Sequence, residues 1–351
     1  MIEFAIVTFL TAFFGALLFN YPVRAASRRF GFLDYPDERK LHTRAIPYGG
    51  GVGLYAALLF AIIVGYIMYP PAFLFRERLM ALVLGGGIVV LFGLYDDARG
   101  SGALIKFTAQ GAVALIMYLF GFRVEKLSIP IFGAISLGML APLVTVFWYW
   151  LLMNAINLID GLDGLAAGVC AISAITILLI TMGNITPFNM FQCLCIAGIC
   201  IGFLFHNFYP AKLFMGDAGS LLLGFLIASL TLSTSTKAPA FLTLLIPLLA
   251  VGMPVFDTAY AFLRRILKGE HPFRADKKHL HHRLLALGLS QRRSVLILYY
   301  ISAYLGVMAV VLSKAPPQFT ALVVLLLMTG LFLLAENVSA LAKIINGKKG
   351  K

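Results

Sequence analysis

Apolar runs of about 20 residues follow one another along almost the whole chain, and short breaks of Gly, Pro, Asp, Asn and basic residues separate them. A run of that length with few charges predicts a helix that crosses a bilayer, because about 20 residues at 1.5 Å each cover the ~30 Å hydrocarbon layer. The pattern predicts about eleven such helices. They are Ile2 to Phe19, Gly49 to Tyr69, Leu79 to Tyr95, Ala103 to Phe120, Leu137 to Ile156, Leu165 to Met182, Pro187 to Phe205, Ala218 to Ser235, Ala238 to Phe262, Ser294 to Leu312 and Phe319 to Ala335. The breaks are too short to fold alone and no internal repeat is visible. Residues 1–351 therefore read as one all-α polytopic integral-membrane domain.

Composition agrees, with 61% hydrophobic and 12% charged residues where a soluble domain carries about 25% charged. The first run has Glu3 in place of a basic leader and no small-residue cleavage site, so Met1 to Phe19 is expected to stay as a span. Cys170, Cys193, Cys195 and Cys200 lie in apolar runs without paired C-x-x-C spacing, which argues for packed thiols over zinc or disulfides.

Basic residues set the orientation. Placing 21–48, 96–106, 206–217, 264–293 and the tail after Ala340 on one side collects 22 of the 28 Lys and Arg. By the positive-inside rule that side is cytoplasmic, with the amino terminus outside and the carboxyl terminus inside. This bias, with attraction to anionic membrane lipids, explains the net charge of +13 and calls for no nucleic-acid partner.

Acids are few, and they gather at span ends on that same side: Asp96-Asp97, the run Asn154 to Gly164 with Asp160 and Asp163, Phe214-Met-Gly-Asp217, and a lone Asp257. Carboxylates clustered at the water end of membrane helices suggest a charged substrate or a metal. Each also has a plainer reading. Asp96-Asp97 could be a solvated span end. Asn154 and Asn157 could be an interhelical hydrogen-bonding seam, although that leaves Asp160 and Asp163 unexplained. Asn154, Asn157 and Asp160, three apart, share one helix face, and Gly161 allows a break that turns Asp163 back. Asp217 fits a helix N-cap, a position that also favours phosphate. His279, His281 and His282 in the longest basic loop could be a polybasic lipid surface, but basic donors to phosphate and sugar hydroxyls are the better reading. A helix would place His279 and His282 together and His281 elsewhere, which disfavours three-ligand chelation.

In this order the motifs resemble the polyprenyl-phosphate N-acetylhexosamine-1-phosphate transferases. The resemblance runs from Asp34 to Arg283. It rests on Asp-Tyr-Pro-Asp-Glu-Arg-Lys-Leu-His (34–42) with Ile46-Pro47-Tyr-Gly-Gly, on Asp96-Asp97, on Asn154 to Gly164, on Phe214-Met-Gly-Asp217-Ala-Gly-Ser220 and on His279-Leu-His281-His282. It implies that phosphoryl transfer to a lipid phosphate oxygen from the β-phosphorus of a UDP-N-acetylhexosamine, by direct attack or through a covalent aspartyl intermediate, releases UMP. Asp96, Asp97, Lys106, Asp160 and Asp163 are then the catalytic candidates. Asp217 and Asp97 are the metal candidates for Mg2+, with Mn2+ able to substitute. Asn154, Asn157, Asn207, Phe214, His279, His281, His282, Arg283 and Arg44 are the substrate-binding candidates, with Phe214 stacking on uracil. Lys106 matches a lysine near the phosphates; its plainer reading is a snorkelling residue. Ala98, Arg99 and Gly100 replace a further charged residue that some relatives carry beside the acidic pair.

The resemblance further implies undecaprenyl phosphate as the acceptor, a bacterial plasma (inner) membrane location with a cytoplasmic active site on loops 21–48, 95–106, 154–164, 206–220 and 264–293, and allows a homodimer. His-x-His-His is similar to the branch that uses UDP-N-acetylglucosamine. The phospho-N-acetylmuramoyl-pentapeptide transferase branch, which typically carries three consecutive His, is the alternative. From another class, a nucleotide-sugar transporter would also carry polar helix ends. Transporters, however, bind near the midplane and often show repeated halves.

Overall fold

The computed structural model describes residues 1–36, 42–70, 75–129, 133–234, 251–267 and 280–316, with 319, 322–323, 325–327 and 329–330 beyond. The helices are α1 (Ile2–Arg29), α2 (Gly50–Met68), α3 (Arg76–Arg99), α4 (Ala103–Leu119), α5 (Ala141–Ile159), α6 (Leu165–Thr181), α7 (Pro187–Asn207), α8 (Gly216–Thr234), α9 (Gly252–Leu267), α10 (Leu280–Ala286) and α11 (Gln291–Leu312). Among the described residues, seven segments are long and apolar enough to cross a membrane: α1, α2, α3, the segment Gly138–Ile159 that contains α5, α7, α8 and α11. The chain is a multi-pass membrane protein.

The expected spans differ from these helices in instructive ways. α4 and α6 are apolar but only 17 residues long. Of the run Ala238 to Phe262, residues 238–250 lie outside the described residues, and α9 takes up its end. Most of Phe319 to Ala335 and the tail after Ala340 lie outside them too. The first span does not stop at Phe19. Its helix continues through Pro22 to Arg29, 28 residues in all, about 42 Å at 1.5 Å per residue, and so outreaches the hydrocarbon layer.

Two short hairpins also amend the all-α expectation. β1 (Leu33–Asp34) pairs antiparallel with β2 (Ile46–Pro47), Leu33 opposite Pro47, and β3 (Lys126–Ile129) pairs with β4 (Gly133–Ser136), Leu127 opposite Ile135. Hydropathy is blind to such short pairings.

α7 and α8 form the buried centre of the bundle, with α1, α2, α3, α5 and α6 packed around them. Gly198 and Gly202, one helix turn apart, let α7 lie against α1: a Cβ at Gly198 would come within 2.6 Å of the Phe9 carbonyl. Small residues at that spacing are how membrane helices approach closely. Polar pairs tie α5 to α8 where no water can compete, Trp148 Nε1 donating to Thr231 Oγ1 at 2.9 Å and Tyr149 meeting Ser229 at 2.9 Å. Thr186 caps α7 by accepting the Asn189 N–H, and Pro187 opens its first turn. The carboxyl ends of α1, α3, α5 and α7 meet the amino ends of α2, α4, α6, α8 and α11. The acidic motifs sit there.

Candidate active site

A cavity of about 980 Å³ opens where those helix ends converge. Arg28 reaches it from the extension of α1, residues 42–48 from the first loop, Asp97 from α3, Asn157 from α5, and Asp160 to Asp163 from the turn that follows. Phe214 and Asp217 close it from the start of α8, and Gln291 from the start of α11.

The start of α8 organises one wall. Both oxygens of the Asp97 carboxylate accept backbone N–H groups there, from Asp217 at 2.7 Å and from Ala218 at 3.2 Å. Asp97 thus satisfies the free donors of a helix amino terminus from a neighbouring helix, and its negative charge suits the dipole. This corrects the N-cap reading of Asp217: that residue stands one place inside α8, and its carboxylate is released for other work. Gly216, at φ 70°, makes the approach fit, since a Cβ there would lie 2.9 Å from the Asp97 carboxyl carbon.

The Asp217 carboxylate is oriented at each oxygen. Asn157 Nδ2 donates to Oδ1 at 2.8 Å and also to Ser220 Oγ at 2.8 Å, while Lys106 Nζ donates to Oδ2 at 2.8 Å. The same ammonium is ion-paired with Asp96, which accepts the Ser101 hydroxyl at 2.6 Å and is buried. Lys106 and Asp96 do not line the cavity. They stand behind Asp217, so Lys106 bridges two acids and is not a lone snorkelling cation.

The turn after α5 forms the floor. α5 ends at Ile159, Gly164 at φ 80° caps the start of α6, and residues 160–163 between them line the cavity; the left-handed backbone falls at Gly164 and not at Gly161. Asn207 fastens this turn, accepting the Gly164 N–H at 3.0 Å and donating to the Leu213 carbonyl at 3.0 Å. Tyr299 of α11 donates to the Gly164 carbonyl at 2.6 Å. Asp163 accepts the Ala211 N–H at 2.9 Å and a hydrogen bond from the Gln291 side chain. Burial pushes its carboxyl above the usual range against those two hydrogen bonds. Asp160 keeps part of its surface open. Even so, the protein packed around it pushes its carboxyl well above the usual range, and Asp217, Asp97 and Asp163 push the same way. No hydrogen bond reaches that carboxyl among the described residues. It stands ready for a proton or a cation.

The structure therefore brings Arg44, Asp97, Asn157, Asp160, Asp163, Asn207, Phe214 and Asp217 to one cavity. Asn154 is directed elsewhere: it donates to Gln110 at 2.8 Å, an interhelical tie between α5 and α4. Arg283 is buried with its guanidinium 4.7 Å from the Tyr260 ring centre and is not part of the cavity wall. Asp257 accepts the Leu280 N–H at 2.8 Å at the start of α10. His279 lies outside the described residues, and for His281 and His282 only the α10 backbone is described.

Arg28, His42, Tyr209, Lys212 and Gln291 line the cavity although the sequence did not single them out as site residues. His42 ends the first motif and Lys212 lies in the break before Phe214, so both carried a positional signal. Arg28 was hidden by the expected end of the first span. Gln291 carried no signal.

Residues 79–235 match glycosyl transferase family 4. A Bacillus subtilis protein named a probable undecaprenyl-phosphate N-acetylglucosaminyl 1-phosphate transferase is 34% identical over 332 residues, 94% of this chain and 91% of the relative. The chain belongs to this family. A Mycolicibacterium smegmatis decaprenyl-phosphate N-acetylglucosaminephosphotransferase is 36% identical over 79% of this chain and 74% of its own. The Escherichia coli K12 undecaprenyl-phosphate alpha-N-acetylglucosaminyl 1-phosphate transferase is 29% identical over 91% of this chain and 87% of its own. The family 4 match spans α3 to α8 and takes in Asp96, Asp97, Lys106, Asn157, Asp160, Asp163, Asn207, Phe214 and Asp217. Arg28, His42, Arg44 and Gln291, which also line the cavity, lie outside it.

Proposed function

We propose that this family 4 member transfers N-acetylglucosamine-1-phosphate from UDP-N-acetylglucosamine to undecaprenyl phosphate, releasing UMP, at the cytoplasmic face of a bacterial inner membrane. The observation that carries the reading is that one acid and three bases without an ion-pair partner among the described residues line one cavity at the end of a membrane bundle. Asp160 supplies the first kind, and Arg28, Arg44 and Lys212 the second. A substrate with several phosphates and an accompanying cation would satisfy both.

The donor set fits Mg2+. Asp217 lines the cavity with a carboxyl held by Lys106, Asn157 and Asp96, and Asp160 lines the same cavity with its charge resisted by other acids. Among the described residues no three His, Cys, Asp or Glu side chains converge to hold a metal alone. The metal proposed here would take one or two carboxylates and complete its shell with phosphate oxygens and water. When bound, Mg2+ would neutralise the diphosphate and the charge growing on departing UMP. The chain's own residues orient. Lys106 and Asn157 hold Asp217, Asp97 holds the helix start that carries it, and Asn207 holds the turn bearing Asp160 and Asp163. Phe214 offers a ring face to the base.

In the reaction the acceptor phosphate oxygen forms a bond to the β-phosphorus, the bond to the α-phosphate oxygen breaks, and that oxygen leaves with UMP. UMP release is expected to require a lipid phosphate and to vanish with EDTA, returning when Mg2+ is added back. Full turnover in EDTA would remove the metal from the account. Uptake of labelled nucleotide-sugar into vesicles without lipid product would replace the enzyme with a transporter.

A further inference from the structure

Among the described residues of the first loop, His42 makes a ring contact with Phe214. His42 lies edge-on to Phe214, ring centres 5.4 Å apart at 64°, the arrangement in which the positive edge of one ring meets the negative face of another. Its own ring is fixed from two sides: Nδ1 is 2.8 Å from the Arg44 carbonyl oxygen and Nε2 is 3.0 Å from Asp34 Oδ2. The loop is anchored in turn. β1 carries Asp34 against β2, the Phe214 N–H donates to the Pro47 carbonyl at 2.9 Å, and the Gly50 N–H donates to the Phe214 carbonyl at 3.0 Å. The backbone of Phe214 is thereby set by β2 and the start of α2. Its side chain has the His42 ring as a neighbour.

We infer that Asp34 and His42 are a positioning pair that fixes the Phe214 ring for the nucleotide base, so the first loop takes part in donor binding through Phe214. The inference rests on the proposed function, in which that ring stacks on the base. An edge-to-face aromatic pair is worth about 0.5–1.5 kcal/mol, which corresponds to roughly a twofold to twelvefold change in affinity.

The test is a double-mutant cycle in the purified full-length protein, reading the UMP inhibition constant and the donor KM in wild type, His42→Ala, Phe214→Ala and the double variant. His42→Ala is expected to weaken UMP about twofold to twelvefold and to raise the donor KM by the same factor, with a smaller change in kcat. In the Phe214→Ala background it should have no further effect, because the ring it positions is gone. Asp34→Asn, a milder change, should show the same loss of effect and serves if His42→Ala unfolds. Additive effects of His42→Ala and Phe214→Ala would overturn the inference and make His42 a direct ligand contact. If Phe214→Ala leaves UMP inhibition unchanged, the base-stacking reading of the site itself fails, an outcome distinct from additivity.

Discussion

Asp217→Asn is expected to lower UMP release at least about a hundredfold while leaving the protein inserted and folded, a loss of roughly 2.7 kcal/mol or more of transition-state stabilisation. The fold should survive because the start of α8 is capped by Asp97, which takes the backbone N–H of residues 217 and 218 and does not depend on the side chain at 217. The site should not survive. An amide presents one NH2 group either to Lys106 or to the Asn157 amide, both donors that the carboxylate now accepts, and it removes the charge that the proposed Mg2+ would need. Thermal unfolding in detergent alongside the rate separates the two effects. Near-normal turnover would return Asp217 to a purely structural role.

Lys106→Met should cost both stability and rate. Its ammonium is the shared partner of Asp96 and Asp217, and Asp96 is buried with the Ser101 hydroxyl and the Asp217 carboxyl as its other contacts. Leaving a buried charge without its partner costs about 3–5 kcal/mol when both groups are fully enclosed. The cost should be lower here, because the lysine side chain is 27% exposed. The rate should fall at least about a hundredfold, since Asp217 loses the contact that orients Oδ2. Adding Asp96→Asn to Lys106→Met should restore much of the melting temperature, by removing the stranded charge, without restoring turnover. Joint recovery of both would mean that Lys106 serves only to keep Asp96 neutralised.

Much of this site was legible in the sequence because membranes make polar residues conspicuous. In a chain with 12% charged residues, an acid at the end of an apolar run stands out, and Asp97, Asp160, Asp163 and Asp217 converge as that reasoning suggests. The division of labour among them was not legible. Spacing cannot show that Asp97 caps the helix that bears Asp217, or that Lys106 reaches Asp217 across 111 positions, because those contacts depend on how α3, α4 and α8 pack. Asn154 and Asn157 share a helix face and look equivalent in sequence. One ties α5 to α4 and the other holds Asp217, and a few ångströms of depth along the helix decide which. Arg28 escaped notice because hydropathy ends a span at the first polar residues, whereas the α1 backbone continues past them to Arg29.

The central claim concerns which bond of the donor breaks. The most direct measurement supplies UDP-N-acetylglucosamine radiolabelled at the β-phosphate, with undecaprenyl phosphate and Mg2+, and follows the label through solvent extraction. The account predicts that the label moves into the lipid fraction in step with release of unlabelled UMP. Label retained on a released UDP, with unlabelled sugar on the lipid, would show simple glycosyl transfer and contradict the account.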